Sequence, residues 1–432
     1  MADEPIVVGI DIGTTKVCTL VARVEGDPSR PGTRPRTAEQ STQPGQTTPN
    51  LRILGVGIEP SQGIRKGTIV DLQAASTAIA RSIEKAERSS GMEVTSALVS
   101  LAGSHVSSVN SRGVVGISGR VIDQDDVARA LDAAQAVAIP HNREIIHVVQ
   151  RGFVVDGQDG IRMPVGMHGY RLEVEAHIIT AAAATVENIR QSVQASGVQV
   201  SQFVLNPLAS AEVVLSETER HMGAVVCDIG GGTTDMAIYI DGDVWHTMVL
   251  GVGGSHVTSD IAHGLRLSIE QAEEIKKQYG HALQDEIEPN DTFTARIFGE
   301  ERATIMSRRE LAMIIEARME EIFDLVLQEI KRSGYDGLLP AGIVLTGGCT
   351  LIPGTRQLAN KVLGLPVRIA RPESMVGLTD QLQSPAYSTS VGLLDWALMM
   401  SETSPTYKSR PTRKGGSNLS DYLKNWIQRL LP

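Results

Sequence analysis

The 432-residue sequence predicts an α/β protein of two lobes, built around a strand-and-turn unit that occurs twice and clamps phosphate. Three stretches carry that prediction. Val7-Val8-Gly9-Ile10-Asp11-Ile12-Gly13-Thr14-Thr15-Lys16 and, far downstream, Val225-Val226-Cys227-Asp228-Ile229-Gly230-Gly231-Gly232-Thr233-Thr234-Asp235 each run from an apolar strand through Asp-x-Gly into hydroxyls. Such a unit reads as a buried strand and a hairpin turn where glycine lets backbone N–H groups approach a phosphate. One copy usually does no more than close a hairpin, but two with matching strands imply duplication, with the turns facing each other across a cleft. An aspartate at a strand end repels a polyphosphate, so Asp11 and Asp228 are expected to hold Mg2+ or its waters, and Lys16 to add fixed positive charge. The third stretch, Ile343-Val344-Leu345-Thr346-Gly347-Gly348-Cys349-Thr350-Leu351-Ile352-Pro353-Gly354, passes from a strand through a double glycine to a helix start. That turn brings backbone against a flat ligand such as adenine or its ribose.

In this order the three motifs resemble the actin and sugar-kinase ATPase superfamily, which includes the DnaK-type chaperones. The resemblance implies an α/β, actin-like two-lobed ATPase fold with duplicated RNase H-like cores that binds ATP and Mg2+. Its expected nucleotide contacts are Gly13, Thr14, Thr15 and Lys16, then Gly230, Gly231, Gly232, Thr233, Thr234 and Asp235, then Gly347 and Gly348. Asp11 and Asp228 are the expected metal-holding and catalytic carboxylates. P-loop chemistry lacks its GxxxxGKS or GxxxxGKT sequence, and no HExxH or GxSxG supports a zinc or serine hydrolase. The ten histidines read as packing or surface residues.

The chain is longer than one core usually fills, so two or more domains are expected. A net charge of −10 argues against a general nucleic-acid binder. Cys18, Cys227 and Cys349 make an odd number without CxxC spacing, which suits a reducing cytosol and packing in tight strands. The acidic start Ala2-Asp3-Glu4-Pro5 does not read as a leader. No apolar run approaches the roughly 20 residues of a membrane span, so a cytoplasmic location is expected.

Residues 26–50 are rich in Pro, Thr, Gln and Gly without an apolar period, and read as an insertion in the hairpin joining the first strands. Residues 401–417 read as a second linker. Beyond it, Leu419, Tyr422, Leu423, Trp426, Ile427, Leu430 and Leu431 fall on one stripe of a helix that Ser417 or Asn418 can cap, with Lys424 and Arg429 on the polar side. From residue 408 onward six Lys or Arg face one acid, Asp421, so this end is basic on an acidic chain. A detached basic helix with tryptophan on its apolar face is expected to bind an anionic membrane surface reversibly, several copies acting together in a polymer.

Between the two clamps, helix 72–90 and strand 97–101 lead into Ala102-Gly103-Ser104-His105-Val106, then Asn110-Ser111-Arg112-Gly113-Val114-Val115. Val137-Ala138-Ile139-Pro140, Glu144-Ile145-Ile146-His147-Val148-Val149, Val154-Val155-Asp156-Gly157 and Pro164-Val165-Gly166-Met167 follow. This series closely resembles the bacterial cell-division FtsA family, over essentially the whole chain apart from 26–50. The resemblance implies subdomain 1A over 1–92 and 173–206, 1C over 93–172, 2A over 207–253 and 336–400, and 2B over 254–335. The linker 401–417 and a membrane-targeting helix 418–432 complete that division. It also implies polymerisation into filaments on the inner face of the cytoplasmic membrane at the septum, anchoring FtsZ there through the FtsZ C-terminal peptide docked on 2B. Other division proteins are expected to bind 1C. Within 2B, Glu273, Lys276 and Lys277 share a helix face by spacing, and relatives use the matching positions for ribose and purine. Gly254 adds a glycine turn near the phosphates, and Arg308, Arg309 and Arg318 on helix 307–331 are the candidate surface for the peptide.

One position departs from the superfamily. Where chaperones and actin place Glu or Gln to position the attacking water, this chain has Asn206, which cannot act as a base. Slow or absent hydrolysis is expected, with ATP serving chiefly as a conformational ligand and any water oriented through Asp11 or Asp228. Of the rival readings, a small-molecule kinase has no use for the tail and a chaperone needs a further β-domain. An FtsA-like pilus-assembly adaptor, which generally lacks the lipid helix, is the alternative kept.

Overall fold

The computed structural model describes residues 5–25, 50–117, 121–136, 139–299, 302–373 and 375–402. Nearly all of the 26–50 insertion, the linker beyond Glu402 and the whole 418–432 helix lie outside the described residues.

The duplication foreseen from the two motifs is visible in the sheets. In the first lobe the strand Ile6–Ile12 forms a hairpin with Lys16–Glu25, Ile10 opposite Thr19, and runs parallel to Ser96–Leu101 on its other side. In the second lobe Ala224–Ile229 forms the matching hairpin with Thr234–Ile240 and runs parallel to Gly342–Thr346. Each hairpin is extended by a third antiparallel strand, Asn50–Pro60 in one lobe and Asp243–Leu250 in the other. The 26–50 insertion therefore falls between the paired strands Lys16–Glu25 and Asn50–Pro60. All six residues of Ala224–Ile229 are buried, because both faces of the sheet are covered, and this is why the strand reads as a continuous apolar run.

Helix Leu72–Ser90 covers the first sheet with Ala75, Ala78, Ile79, Ile83 and Ala86. Asp71 caps its start by accepting the Ala74 N–H at 3.0 Å, and Gly91 ends it in the left-handed conformation at φ 69°. The segment after Leu101 builds a separate four-stranded sheet in the order Ser107–Gly116, Arg171–Ala182, Arg143–Val155, Gln158–Ile161. Helix Gln124–Gln135 lies on it over Phe153, Val174 and Ile178. In the second lobe, helices Gly254–Leu265, Ile269–Tyr279 and Arg308–Ser333 pack together beside the hairpin Thr292–Ala295/Thr304–Ser307. The helix expected directly after the double glycine begins later: Gly348–Leu351 is a short 3-10 turn, and Thr355–Leu363 follows Pro353-Gly354.

The last described helix, Ser388–Glu402, returns to the first lobe, where Val391, Leu394 and Leu398 pack on Leu20, Leu51 and Ile53. It lies so close to helix Asn206–Val214 that a side chain at Gly392 would strike the Ala209 carbonyl. These two helices bring hydroxyls and an amide to the cleft floor from sequence positions far from the glycine turns.

Candidate nucleotide cleft

The two hairpin turns are built alike. The Gly13 N–H donates to the Lys16 carbonyl at 3.0 Å, and the Gly230 N–H donates to the Thr233 carbonyl at 2.9 Å. They meet tip to tip: a Cβ at Gly231 would collide with the Thr15 side chain, and one at Gly232 with the Thr14 side chain. Here glycine is required by close approach. The start of helix Gly254–Leu265 is tied under the second turn, the Gly254 and Ser255 N–H groups donating to the Gly230 and Gly231 carbonyls at 2.9 and 2.7 Å.

A cavity of about 490 Å3 opens beside the paired turns. Asp11, Gly13, Thr14, Thr15, Lys16, Asn206 and Asp228 line it, as do Gly230, Gly231, Gly232, Thr233 and Asp235. Gly254, Glu273, Lys276, Lys277, Gly347 and Gly348 complete the set foreseen from the sequence, with the exception of Thr234. Thr234 is fully buried, and its hydroxyl donates to the Val252 carbonyl at 2.9 Å, so it fastens the turn rather than facing the cavity. Its strand position turns it away, alternating with Thr233 and Asp235.

Each strand-end carboxylate is held by hydroxyls from distant segments. Ser100 Oγ and Ser390 Oγ donate to the two oxygens of Asp11 at 3.0 and 2.7 Å. Thr389 Oγ1 donates to Asp228 at 2.8 Å. Burial nevertheless pushes the Asp228 carboxyl up to about 6 against that hydrogen bond, the Asp11 charge adding to the rise. Asp235 is also raised, by burial first and then by Asp228. One of its oxygens accepts from Thr233 Oγ1 at 2.7 Å while the other is buried without a partner. Asn206 Oδ1 is buried and unpartnered in the same way.

Lys16 is more committed than its motif suggested. Its ammonium donates to the Ala386 carbonyl and sits 4.1 Å from the centroid of the Tyr387 ring. At the other end of the cavity, Glu273 pairs with Lys276 at 2.6 Å and Lys277 at 3.1 Å, as their spacing predicts. Lys276 also donates to Thr258 Oγ1 and the Gly254 carbonyl. Gly347 has φ 91°, and a Cβ there would collide with Asp228 Oδ1, so the double glycine presses its backbone directly on the Asp228 carboxylate. The three cysteines are free and buried, and burial pushes Cys18 up to about 12 and Cys349 to about 11, which fits packing roles.

Sequence reasoning missed Ser100, Thr389, Ser390, Ala386 and Tyr387. The run Ser388-Thr389-Ser390 at the head of an apolar helix was the available signal. The three arginines proposed for peptide docking stand apart from the cavity and are already engaged. Arg308 bonds Asp291 and the Tyr279 carbonyl, Arg309 bonds Asp285, and Arg318 grips Asp260 and Glu321. They do not form an open positive patch, because each of the three is paired with an acid on or near that helix.

The chain is also similar to known proteins along most of its length. A family profile described as "Cell division protein FtsA" matches residues 225–392, and one described as "SHS2 domain inserted in FTSA" matches 103–180. Similar chains called Cell division protein FtsA include that of Pseudomonas aeruginosa, 40% identical over 430 residues, which are 98% of this chain and 97% of that one. The Neisseria meningitidis serogroup B protein is 36% identical with 97% of each covered, and the Escherichia coli K12 protein 36% identical with 91% and 90% covered. Among solved structures, the PilM-PilN type IV pilus biogenesis complex superposes with a TM-score of 0.63 at 15% identity, covering 91% of this chain and 98% of that one. MreB5 of Spiroplasma citri bound to ADP gives 0.53 at 16%, covering 92% and 97%. These likenesses show the actin-like ATPase fold, and the near full-length identities go further: the chain belongs to the FtsA family of cell-division proteins.

Proposed function

We propose that the cleft binds Mg·ATP and that the chain is a membrane-tethered, filament-forming adaptor that holds FtsZ at the division septum. The observation that carries the nucleotide part is the gathering of two phosphate-type turns, three aspartates and a double glycine around one cavity. The oxygen-rich donor set suits a hydrated Mg2+. Asp235 and Asn206 each keep a buried oxygen without a partner, and no group of three or more His, Cys, Asp or Glu among the described residues is placed to hold a metal directly. When bound, Mg2+ offsets the negative charge that the phosphates and Asp11, Asp228 and Asp235 bring together. The turns at Gly13–Lys16 and Gly230–Thr233 supply backbone donors from both lobes, so ATP joins the lobes. Asn206, at the head of its helix, orients a water without removing its proton, and turnover is slow.

Among the described residues no helix is long and apolar enough to cross a membrane. Membrane attachment in this reading rests on the stripe Leu419 to Leu431 with Lys424 and Arg429, and FtsZ docking on the second-lobe helices. The arginines Arg308, Arg309 and Arg318 contribute to docking only if the peptide displaces their present acidic partners. The pilus-adaptor alternative is supported by fold likeness alone. The test is co-sedimentation of FtsZ filaments with anionic liposomes and ATP. The full chain is expected to carry FtsZ into the pellet, whereas a chain ending at residue 400 leaves it in the supernatant. Equal recruitment by both chains contradicts the adaptor reading.

A further inference from the structure

We propose that Lys66 contacts the terminal phosphate of the bound nucleotide and so separates ATP from ADP, an inference that rests on the nucleotide reading above. Lys66 and Gly67 form the turn of a small hairpin, Ile64–Arg65 paired with Thr68–Ile69. Both have positive φ, 49° and 72°, as in the two-residue turn whose first position favours Asn, Asp or Gly over lysine. Lysine therefore stands where the local backbone would prefer another residue.

The turn is fixed in place. Gly67 lies on Ala102-Gly103, where a Cβ would collide with the Ala102 carbonyl, and Gly67 and Ala102 both line the nucleotide cavity. The hairpin tip thus forms part of the cavity rim. It stands at the end occupied by the phosphate turns: Lys66 Cδ lies 3.8 Å from the Cβ position of Gly251, which follows Leu250, the strand partner of Thr234. The side chain crosses from the first lobe to the second. Its charge is felt there, since burial first and then Lys66 push the His256 imidazole below its usual value.

The charges at this end leave a place for such a cation. Asp11, Asp228 and Asp235 face the cavity, and the three lysines that line it are committed. Lys16 is bound to the Ala386 carbonyl and Tyr387, while Lys276 and Lys277 are bound to Glu273. Lys66 has no hydrogen-bond or ion-pair partner among the described residues. An ammonium on a flexible stem at this rim gives a γ-phosphate a charge-assisted contact that ADP does not receive. Because the stem reaches the second lobe, the same contact favours closure around ATP.

Asparagine suits the positive-φ turn better than lysine, so Lys66→Asn removes the charge without loosening the hairpin. Mg·ATP and Mg·ADP are titrated onto the full chain, onto Lys66→Asn and onto Lys66→Arg. Lys66→Asn is expected to weaken ATP about tenfold, the scale of one hydrogen bond to a charged group, and to leave ADP unchanged. Lys66→Arg is expected to retain the preference for ATP. Unchanged ATP affinity in Lys66→Asn, or equal weakening of both nucleotides, overturns the role of Lys66 and leaves the nucleotide reading in place. Failure of the wild-type chain to bind either nucleotide overturns that reading and this inference with it.

Discussion

Asp228 shows how one residue can be placed against its own stability. It is buried beside Asp11, and burial pushes its carboxyl from 3.8 up to about 6, so the folded chain holds a proton more tightly than the unfolded chain does. That preference favours folding below pH 4, is lost as pH rises from about 4 to about 6, and leaves a cost at neutral pH. Asp228→Asn is therefore expected to raise the melting temperature of the nucleotide-free protein by about 2–4 °C at pH 7.5, with the gain fading at pH 5, while weakening Mg·ATP binding. A lower melting temperature at pH 7.5 would show that the Thr389 hydrogen bond outweighs burial. The residues legible in the sequence were those whose roles follow from local order, such as Asp11, Gly13 and Thr14 or Asp228, Gly231 and Thr233. Ser100, Thr389 and Ser390 reach the same carboxylates only through long-range packing, and no local spacing announces them.

At the scale of elements, the two hairpins were foreseen because a strand buried on both faces leaves an uninterrupted apolar run. Helix Leu72–Ser90 was foreseen because its apolar face repeats with helical spacing. The order of the inserted sheet was not legible, since Arg171–Ala182 lies between strands that precede it in the chain and alternation does not say which strands pair. The joints between elements are equally non-local. His147, on the strand Arg143–Val155, accepts the Leu205 N–H at 3.1 Å and meets the Trp396 ring edge-on at 5.4 Å. It thereby ties the inserted sheet to the first lobe and to the last described helix. Burial holds its imidazole down at about 4, so the unfolded chain takes up a proton near pH 6.5 that the folded chain refuses until about pH 4. This contribution to stability is complete above pH 6.5 and is lost as pH falls, at roughly 1 kcal/mol per pH unit. His147→Gln, which can still accept from Leu205, is expected to lose less stability than the wild type between pH 7 and 5 in urea unfolding. Parallel pH profiles would show that His147 does not carry the acid sensitivity.

At the scale of the molecule, one cavity gathers residues from both lobes, and the basic amphipathic sequence at the C-terminal end lies outside the described residues. If the tail alone carries membrane attachment, its apolar and basic contributions are separable. Trp426→Glu, in the middle of the apolar stripe, is expected to abolish co-sedimentation with anionic liposomes while leaving nucleotide affinity unchanged. Neutralising Lys424 and Arg429 should weaken it only in part, as should raised salt. Retained binding by Trp426→Glu would place the membrane contact elsewhere. In the proposed function Asp11 of one lobe and Asp228 of the other serve a single Mg·ATP. A double-mutant cycle on Mg·ATP affinity tests it most directly, using Asp11→Ala, Asp228→Ala and the double variant. Each single change is expected to weaken binding at least tenfold, about 1.4 kcal/mol, and the double to cost clearly less than both losses added. Unchanged affinity in either single variant, or strict additivity in the double, would contradict a shared site.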